Sequence, residues 1–165
     1  MARKRKQSKL WRPAPTRRYI AKDAAAVSKV MAAVRHRNSH AELLLRSELW
    51  RRGLRYRLHH SLLAGRPDLV FGRARVVVFV DGDFWHGRGL IQDGDVAFLA
   101  TLRTKRREWW LKKLRRNIER DAEVTRRLRE QGWRVLRYWE SDVKRDVVYV
   151  ADLVGNIVKK ARRSS

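Results

Sequence analysis

Two apolar runs stand out in the hydropathy pattern at the middle of the chain. Residues 67–71 and 76–80 are rich in β-branched and aromatic side chains, and a short segment, Gly72-Arg73-Ala74-Arg75, separates them. Runs of this length next to turn-forming residues are typical of buried strands, and the short separation favours a hairpin. The pattern therefore predicts an antiparallel pair of buried strands.

Helical periodicity and strand-like runs flank this hairpin. Residues 39–52 predict a helix in which Ser39 is the N-cap, Glu42 is its capping-box partner and Gly53 ends the last turn. The other predicted elements are a short helix over 23–35, a strand over 54–60, a loop over 87–102, a long helix over 104–131, a strand over 133–139 and a helix over 147–161. This order predicts an α/β domain with a mixed sheet and helices on its faces.

The charge balance narrows the range of partners. The 165 residues contain 41 Lys+Arg against 17 Asp+Glu, a formal net charge of +24. Such a polycation indicates a polyanionic partner, and nucleic acid is favoured because cationic side chains release the counterions condensed on phosphates. No apolar run is long enough to cross a membrane, and the absence of cysteine excludes disulfides and thiolate metal sites.

Residues 1–20 carry eight basic side chains and no acid, and prolines discourage a helix there. We expect a flexible basic arm, either a solvated tail or a DNA-contacting segment, followed by one domain over 21–165.

The acidic side chains are few, and two of them are expected to meet. Asp68 begins the first strand of the hairpin and Asp81 follows the second, so both lie at the end away from the connecting turn. Two adjacent carboxylates repel unless a cation lies between them, and Mg²⁺ prefers such hard oxygen ligands. Each acid alone is more typical of a strand end bound to backbone amides, but the pair in so basic a chain favours a metal site.

Two further residues are candidates for chemistry or its support. His86, five residues after Asp81, is of the type that transfers protons, or it is a phosphate-contacting surface histidine. Glu42 is either a capping residue or a carboxylate at the metal site. The remaining histidines, among them His59, show no metal-ligand spacing, and His59 and His60 are expected on opposite faces of a strand.

The long helix contributes two polar residues and a basic face. Asn117 and Asp121 continue an apolar stripe begun by Trp110 and Leu114, so they either support the site or form hydrogen bonds within the core. The opposite face is basic and suits a phosphate backbone. Phe84-Trp85 either stacks on bases or packs under the loop.

These motifs together resemble the very-short-patch-repair (Vsr) mismatch endonucleases, a branch of the PD-(D/E)xK nuclease superfamily. The resemblance runs from about residue 27 to about residue 141. It is carried by Gly65-Arg66-Pro67-Asp68, by Val78-Phe79-Val80-Asp81-Gly82 with Phe84-Trp85-His86, by Trp110, Lys113, Asn117, Arg120 and Asp121, and by Gly132-Trp133-Arg134-Val135-Leu136 with Trp139-Glu140. It implies a restriction-endonuclease-like three-layer fold.

The resemblance also implies roles for individual residues. Asp68 would be the central Mg²⁺ ligand, with Mn²⁺ as a substitute, and the backbone carbonyl of Val80 a second ligand. His86 would be the general base or acid, Glu42 the N-terminal helix carboxylate, and Phe84 and Trp85 the aromatic wedge. Expected DNA contacts are Phe84, Trp85, Arg66, Lys112, Lys113 and Arg116.

The chain departs from this family at the site. Val80-Asp81 replaces a threonine–histidine pair, so Asp81 is expected as a direct carboxylate ligand, and Asp81-Gly82-Asp83 stands where the superfamily has an acid-x-lysine motif. Asp83 and Ser141 stand at places where the repair enzymes have zinc-binding cysteines. No structural zinc is expected.

The sequence is thus interpreted as a Mg²⁺-dependent endonuclease or nickase acting on double-stranded DNA in mismatch repair or defence. Asp68, Asp81, Glu42 and His86 form its expected site. The alternatives are a catalytically inactive DNA-binding module of the same fold and, from charge alone, an RNA-binding protein. We expect a cytoplasmic, nucleoid-associated protein that is monomeric when free.

Overall fold

A four-stranded mixed sheet organises residues 38–163, the part of the chain that this computed structural model describes. Its strands are β1 (Arg57–Leu58), β2 (Leu69–Phe71), β3 (Val76–Asp81) and β4 (Arg134–Trp139), in the spatial order β1-β2-β3-β4. The β1–β2 and β2–β3 pairs are antiparallel, and β3–β4 is parallel. This confirms the predicted hairpin and mixed sheet.

Five helices lie around the sheet. They are α1 (His40–Arg51), α2 (Arg88–Thr101), α3 (Arg107–Glu130), α4 (Glu140–Arg145) and α5 (Val147–Arg163), with a 3-10 turn over Gly72–Ala74 between β2 and β3. Together with the sheet they confirm the predicted α/β class.

Alternation along the strands divides the core into two faces. Leu69, Phe71, Val76 and Val78 pack with residues of α1 and α5, whereas Val70, Val77 and Phe79 pack with Leu128 of α3. Successive side chains of a strand point to opposite faces, so the helices form an outer layer on each side. Asp81 ends β3 two residues after Phe79 and is therefore directed to the α3 face.

Helix α1 begins as its sequence predicts. The Ser39 hydroxyl accepts a hydrogen bond from the Glu42 backbone N–H at 3.2 Å, and Gly53 follows the helix with a φ of 75°. The reciprocal bond differs from a capping box, because the Glu42 carboxylate accepts from the backbone N–H of Asn38 at 2.7 Å. Glu42, Leu45 and Leu49 are buried together on the inner face, as expected.

Three elements differ from the sequence prediction. The expected loop over 87–102 was wrong, because residues 88–101 form α2, with a break in helical geometry at Gly94. Its glycines and aspartates concealed an apolar face, on which Leu90 and Phe98 pack against Trp110 and Leu114 of α3. Helix α4, which follows β4 directly, was not predicted, and strand β1 is shorter than the predicted 54–60.

The basic arm over 1–20 and the short helix over 23–35 lie outside the described residues. Within 38–163, no helix has the length and apolar character needed to span a membrane.

Candidate active site

Asp68 lies where the hairpin opens, just before β2. Its Oδ2 accepts a hydrogen bond from the backbone N–H of Val80 at 2.8 Å. Burial raises the pKa of Asp68 to about 6; the Val80 hydrogen bond opposes this shift and the negative charge of Asp81 adds to it. A carboxylate with so unfavourable an ionised form is one that a bound cation would stabilise.

The backbone of Val80 brings a second oxygen to this edge. Pairing with β2 ends at Leu69 and Val78, so Val80 lies beyond the last β2 partner and faces Asp68 instead. The N–H and C=O of one strand residue point to the same side, so the Val80 carbonyl shares the side on which its N–H meets Asp68. A carboxylate and a carbonyl there fit a hard divalent cation.

A neighbouring group of donors includes a residue that the sequence did not single out. Glu42, His59 and Asp68 place one ligand atom each within 4.8 Å of one another. His59 lies just after the short β1, with a φ of 44°, rather than on an extended strand. The sequence shows no metal-ligand spacing for His59, and it is the fold that brings this histidine next to Glu42 and Asp68.

Arg46 already contacts two of these three residues, Glu42 and His59. Its Nη2 donates to Glu42 Oε1 and lies 2.9 Å from His59 Nε2, and Glu42 is almost fully buried. A guanidinium only donates, so His59 Nε2 accepts and the neutral ring carries its proton on Nδ1, 3.8 Å from Asp68 Oδ1. A cation bound by all three donors would displace Arg46. We therefore favour the Asp68–Val80 edge for a metal and read Glu42 as the partner of Arg46.

Asp81 has a different partner from the one expected. Both of its carboxylate oxygens accept from Arg137, at 2.7 Å to Nε and 2.7 Å to Nη2, and the residue is buried. Its side chain points to the α3 face and takes no part in the donor group of Glu42, His59 and Asp68. Asp81 thus forms a carboxylate–guanidinium pair beside the metal edge, and the expected grip of Asp68 and Asp81 on one metal ion stays a prediction.

His86 is held by the long helix. Its Nδ1 lies 2.5 Å from Asp121 Oδ2 and 3.5 Å from Asp81 Oδ1. Burial alone would raise the pKa of Asp121, but the hydrogen bond with His86 and the charges of His86, Arg137 and Arg120 lower it below its usual value. An ionised Asp121 keeps the proton of a neutral imidazole on Nδ1 and leaves Nε2 as the basic nitrogen.

A cavity opens beside this pair. It has a volume of about 530 Å³, and Asp81, His86, Asp121 and Arg137 are among its lining residues. There is thus open space next to the His86–Asp121 pair.

Comparison with known proteins identifies the family of this chain. The family model for DNA mismatch endonuclease Vsr matches residues 21–92. The chain is 40% identical over 131 residues to a type II nicking enzyme of Neisseria meningitidis serogroup C, covering 79% of this chain and 84% of that protein. It is 40% identical over 118 residues to the DNA mismatch endonuclease Vsr of Escherichia coli K12, covering 72% and 71%. The chain belongs to the Vsr family.

This Vsr protein carries its aromatic residues on the loop that holds His86. Phe84 and Trp85 form edge-to-face and tilted contacts with Trp110 at centroid distances of 5.1 and 5.8 Å. Asn117 donates to the Trp85 carbonyl at 2.8 Å, so Asn117 and Asp121 both support this loop. Phe84 and Trp85 are half-buried, which combines packing with an edge open to a ligand.

The basic side chains that are predicted to contact DNA differ in their exposure to solvent in this Vsr protein. Arg66, Lys112 and Arg116 are exposed. Lys113 is half-buried, and its Nζ lies 4.9 to 5.6 Å from the ring centroids of Trp85, Trp109 and Trp110. Lys113 therefore joins a positive charge to the aromatic cluster.

An arginine lies among the residues at which the sequence resemblance implies zinc-binding cysteines. The guanidinium of Arg88 lies between Asp83, Ser141 and Asp142; Arg88 and Asp142 are buried, and Asp83 and Ser141 are half-buried. A cationic side chain at the centre of these groups occupies the place where zinc would need donor atoms. These residues do not fit a zinc ion.

We expect Asp81→Asn in this Vsr protein to affect stability more than cleavage. The variant leaves the partly buried Arg137 without its bidentate carboxylate, which costs about 2 kcal/mol of unfolding free energy. Chemical denaturation measures this loss, and the cleavage rate well below the melting temperature should stay within about tenfold of wild type. Loss of cleavage in a variant with wild-type stability would restore Asp81 as a metal ligand.

Proposed function

We propose that this protein nicks duplex DNA by hydrolysing one phosphodiester bond with the help of Mg²⁺. The observation that carries the proposal is the pairing of His86 Nδ1 with Asp121 near a half-buried Asp68 whose pKa is raised. Proton-transferring and cation-binding groups are side by side, and the surrounding chain is strongly basic. The names of its Vsr relatives, mismatch endonuclease and nicking enzymes, support the same reaction.

Asp68 and the Val80 carbonyl would hold the metal. Their oxygens are hard ligands, which favours Mg²⁺, with Mn²⁺ as a substitute, over the softer metals that histidine and cysteine attract. A bound Mg²⁺ supplies positive charge that stabilises the phosphate as negative charge develops on it. The Val80 N–H orients the Asp68 carboxylate, and Arg46 holds Glu42 away as a separate ion pair.

His86 would move the proton. With Nδ1 held by Asp121, Nε2 takes a proton from an attacking water, and the imidazolium formed is stabilised by the Asp121 carboxylate. Asp81 lies 3.5 Å from the same Nδ1 and adds to the negative field around the ring. This chain thus supplies a base, an orienting acid and a metal edge, although it lacks the superfamily lysine.

Duplex DNA would bind through charge and stacking. Arg66, Lys112 and Arg116 are exposed to reach phosphates, which position the duplex without reading sequence. Phe84 and Trp85, at the rim of the aromatic cluster, would stack on bases near the cut. The proposal extends to a basic arm over 1–20 and a nuclease domain over 21–165, a monomeric free chain, repair or defence partners, and a place in the cytoplasm with the nucleoid.

A plasmid assay tests this function. The protein is incubated with supercoiled plasmid and with mismatched oligonucleotide duplexes, with Mg²⁺ or with Ca²⁺, and open-circle and linear products are separated on a gel. We expect Mg²⁺-dependent nicking by wild type and none by Asp68→Asn, with Lys159→Ala, which changes an exposed α5 lysine, as control. DNA binding without any cleavage across these substrates would instead support an inactive binding module.

Asp121→Asn is expected to slow cleavage about tenfold to a hundredfold. The amide stays close in size but cannot stabilise the imidazolium, and it permits the wrong tautomer of His86. Single-turnover cleavage at saturating DNA measures this loss. A rate equal to that of wild type would show that Asp121 does not act through His86.

A further inference from the structure

Arg88 is the most deeply buried arginine among the described residues outside the strands, at 2% exposure. Its Nη1 donates to Asp83 Oδ1 at 2.9 Å and to the Ser141 hydroxyl at 2.5 Å, and its Nη2 donates to Asp142 Oδ1 at 3.0 Å. A buried cation is tolerated only when charges and hydrogen bonds compensate its lost hydration. These four residues, called here the Arg88 clasp, provide that compensation.

The clasp joins parts of the chain that are far apart in sequence. Asp83 also accepts from the Ser141 backbone N–H at 3.0 Å and from its hydroxyl at 2.5 Å, so both oxygens of Asp83 are engaged. Ser141 and Asp142 belong to the first turn of α4, directly after β4. The Arg88 clasp therefore fastens the segment after β3 to the segment after β4.

The fastened segment is the one that carries the base. Asp83 and Arg88 bracket Phe84-Trp85-His86-Gly87, and the Arg88 backbone N–H donates to the Asp83 carbonyl at 2.8 Å. The backbone hydrogen bond between Arg88 and Asp83 joins the two ends of this loop, and the Arg88 guanidinium attaches the loop to α4. The loop's other attachments include Asn117 at the Trp85 carbonyl and Asp121 at the imidazole.

We propose that Arg88 is a positioning residue for His86, and that the Arg88 clasp fixes the catalytic loop by ion pairing without a structural metal. The inference rests on the proposed function, because His86 is the group being placed. Without the clasp, the loop would lose its tie to α4 and keep its contacts with α2, α3 and Asp81, and the imidazole would sample positions away from the reacting water. An error of about 1 Å in such a group costs about a hundredfold in rate.

Kinetics and binding separate this role from general stability. Arg88→Met, Arg88→Lys and Ser141→Ala are compared with Arg52→Met, which breaks the Arg52–Asp152 ion pair between α1 and α5, remote from the site. Single-turnover cleavage is measured at saturating DNA in Mg²⁺, and DNA affinity in Ca²⁺. All measurements are made well below the melting temperature of each variant.

We expect Arg88→Met to be slower by about a hundredfold with a change in DNA affinity of less than about threefold, because affinity depends chiefly on phosphate contacts. Arg88→Lys should recover part of the rate, and Ser141→Ala, which folds even if Arg88→Met does not, should lose about threefold. Arg52→Met should lose stability but not rate. Equal rate losses in Arg52→Met and Arg88→Met, or an unchanged rate in both Arg88→Met and Ser141→Ala, would overturn the proposal.

Nuclear magnetic resonance of the imidazole nitrogens gives a readout that does not need cleavage. Wild type should show one set of His86 imidazole signals with the proton on Nδ1 held by Asp121, and Arg88→Met should show several sets or exchange broadening. Unchanged His86 signals in Arg88→Met would overturn the positioning role even if the wild type proved not to cut DNA. Zinc bound in stoichiometric amount, with a melting temperature lowered by a zinc-selective chelator, would overturn the metal-free clasp.

Discussion

His86→Ala is expected to slow DNA cleavage about 100- to 10,000-fold while leaving DNA affinity close to that of wild type. Asp121 binds the imidazole at Nδ1, which leaves Nε2 as the nitrogen that accepts the proton, and general base catalysis contributes a factor of this size. Single-turnover cleavage at saturating enzyme measures the rate, and binding in Ca²⁺ measures the affinity.

His60→Ala is the matched control for this variant. His60 is a half-buried histidine that directly follows His59 but is absent from the donor group of Glu42, His59 and Asp68. It should cut within about threefold of wild type. A His86→Ala enzyme that keeps most of its rate would mean that another group, with His59 the nearest imidazole to Asp68, takes the proton.

Asp68→Asn is expected to abolish cleavage and to stabilise the fold. Loss of the carboxylate removes a metal ligand, an effect of about 4 kcal/mol or about a thousandfold in rate. The amide oxygen still accepts the Val80 N–H, so the local structure is kept. The variant separates the function of Asp68 from its contribution to stability.

The stability gain follows from the raised pKa of Asp68. Burial raises this pKa from 3.8 to about 6, so between these values the folded protein binds more protons than the unfolded chain. The unfolding free energy therefore falls as pH rises from about 4 to about 6, by up to about 3 kcal/mol in total. The asparagine side chain does not ionise, so the unfolding free energy of the variant does not fall in this way as the pH rises to neutral.

Thermal melts at pH 5 and pH 8, with and without Mg²⁺, test both the metal binding by Asp68 and the stability gain of Asp68→Asn. In the absence of Mg²⁺, Asp68→Asn should melt above wild type at pH 8, and the gap should shrink at pH 5. Mg²⁺ should raise the melting temperature of wild type alone, because a ligand stabilises the state that binds it. A rise of equal size in both proteins would place the cation elsewhere.

Part of the site was predictable because it depends on local geometry. Hairpin register alone places the start of β2 beside the end of β3, so the proximity of Asp68 and Val80 follows from two apolar runs and a short turn. Helical spacing likewise predicts that Asn117 and Asp121 share a face of α3. Asn117 contacts the Trp85 carbonyl, and Asp121 contacts the His86 imidazole. Strand register and helical spacing can be predicted from the sequence because each depends on a pattern that repeats every few residues.

The pairing of charges was not predictable in this way. Arg46, Arg88 and Arg137 are three among 41 basic residues, and nothing in the pattern marks them as buried. Their partners lie up to 56 positions away, as with Arg137 and Asp81. Hence Asp81 was expected to bind metal, and the place of His59 was missed.

The sequence by itself determined the strands, the principal helices, the basic character of the surface and the presence of an acid at the hairpin edge. These features follow from local propensity, hydrophobic period and net charge, which act over short distances or depend only on composition. The tertiary structure alone decided which acid keeps a raised pKa, which acids pair with arginines, and which histidine meets Asp121. Those outcomes depend on desolvation, and a side chain loses its water only where distant segments pack around it.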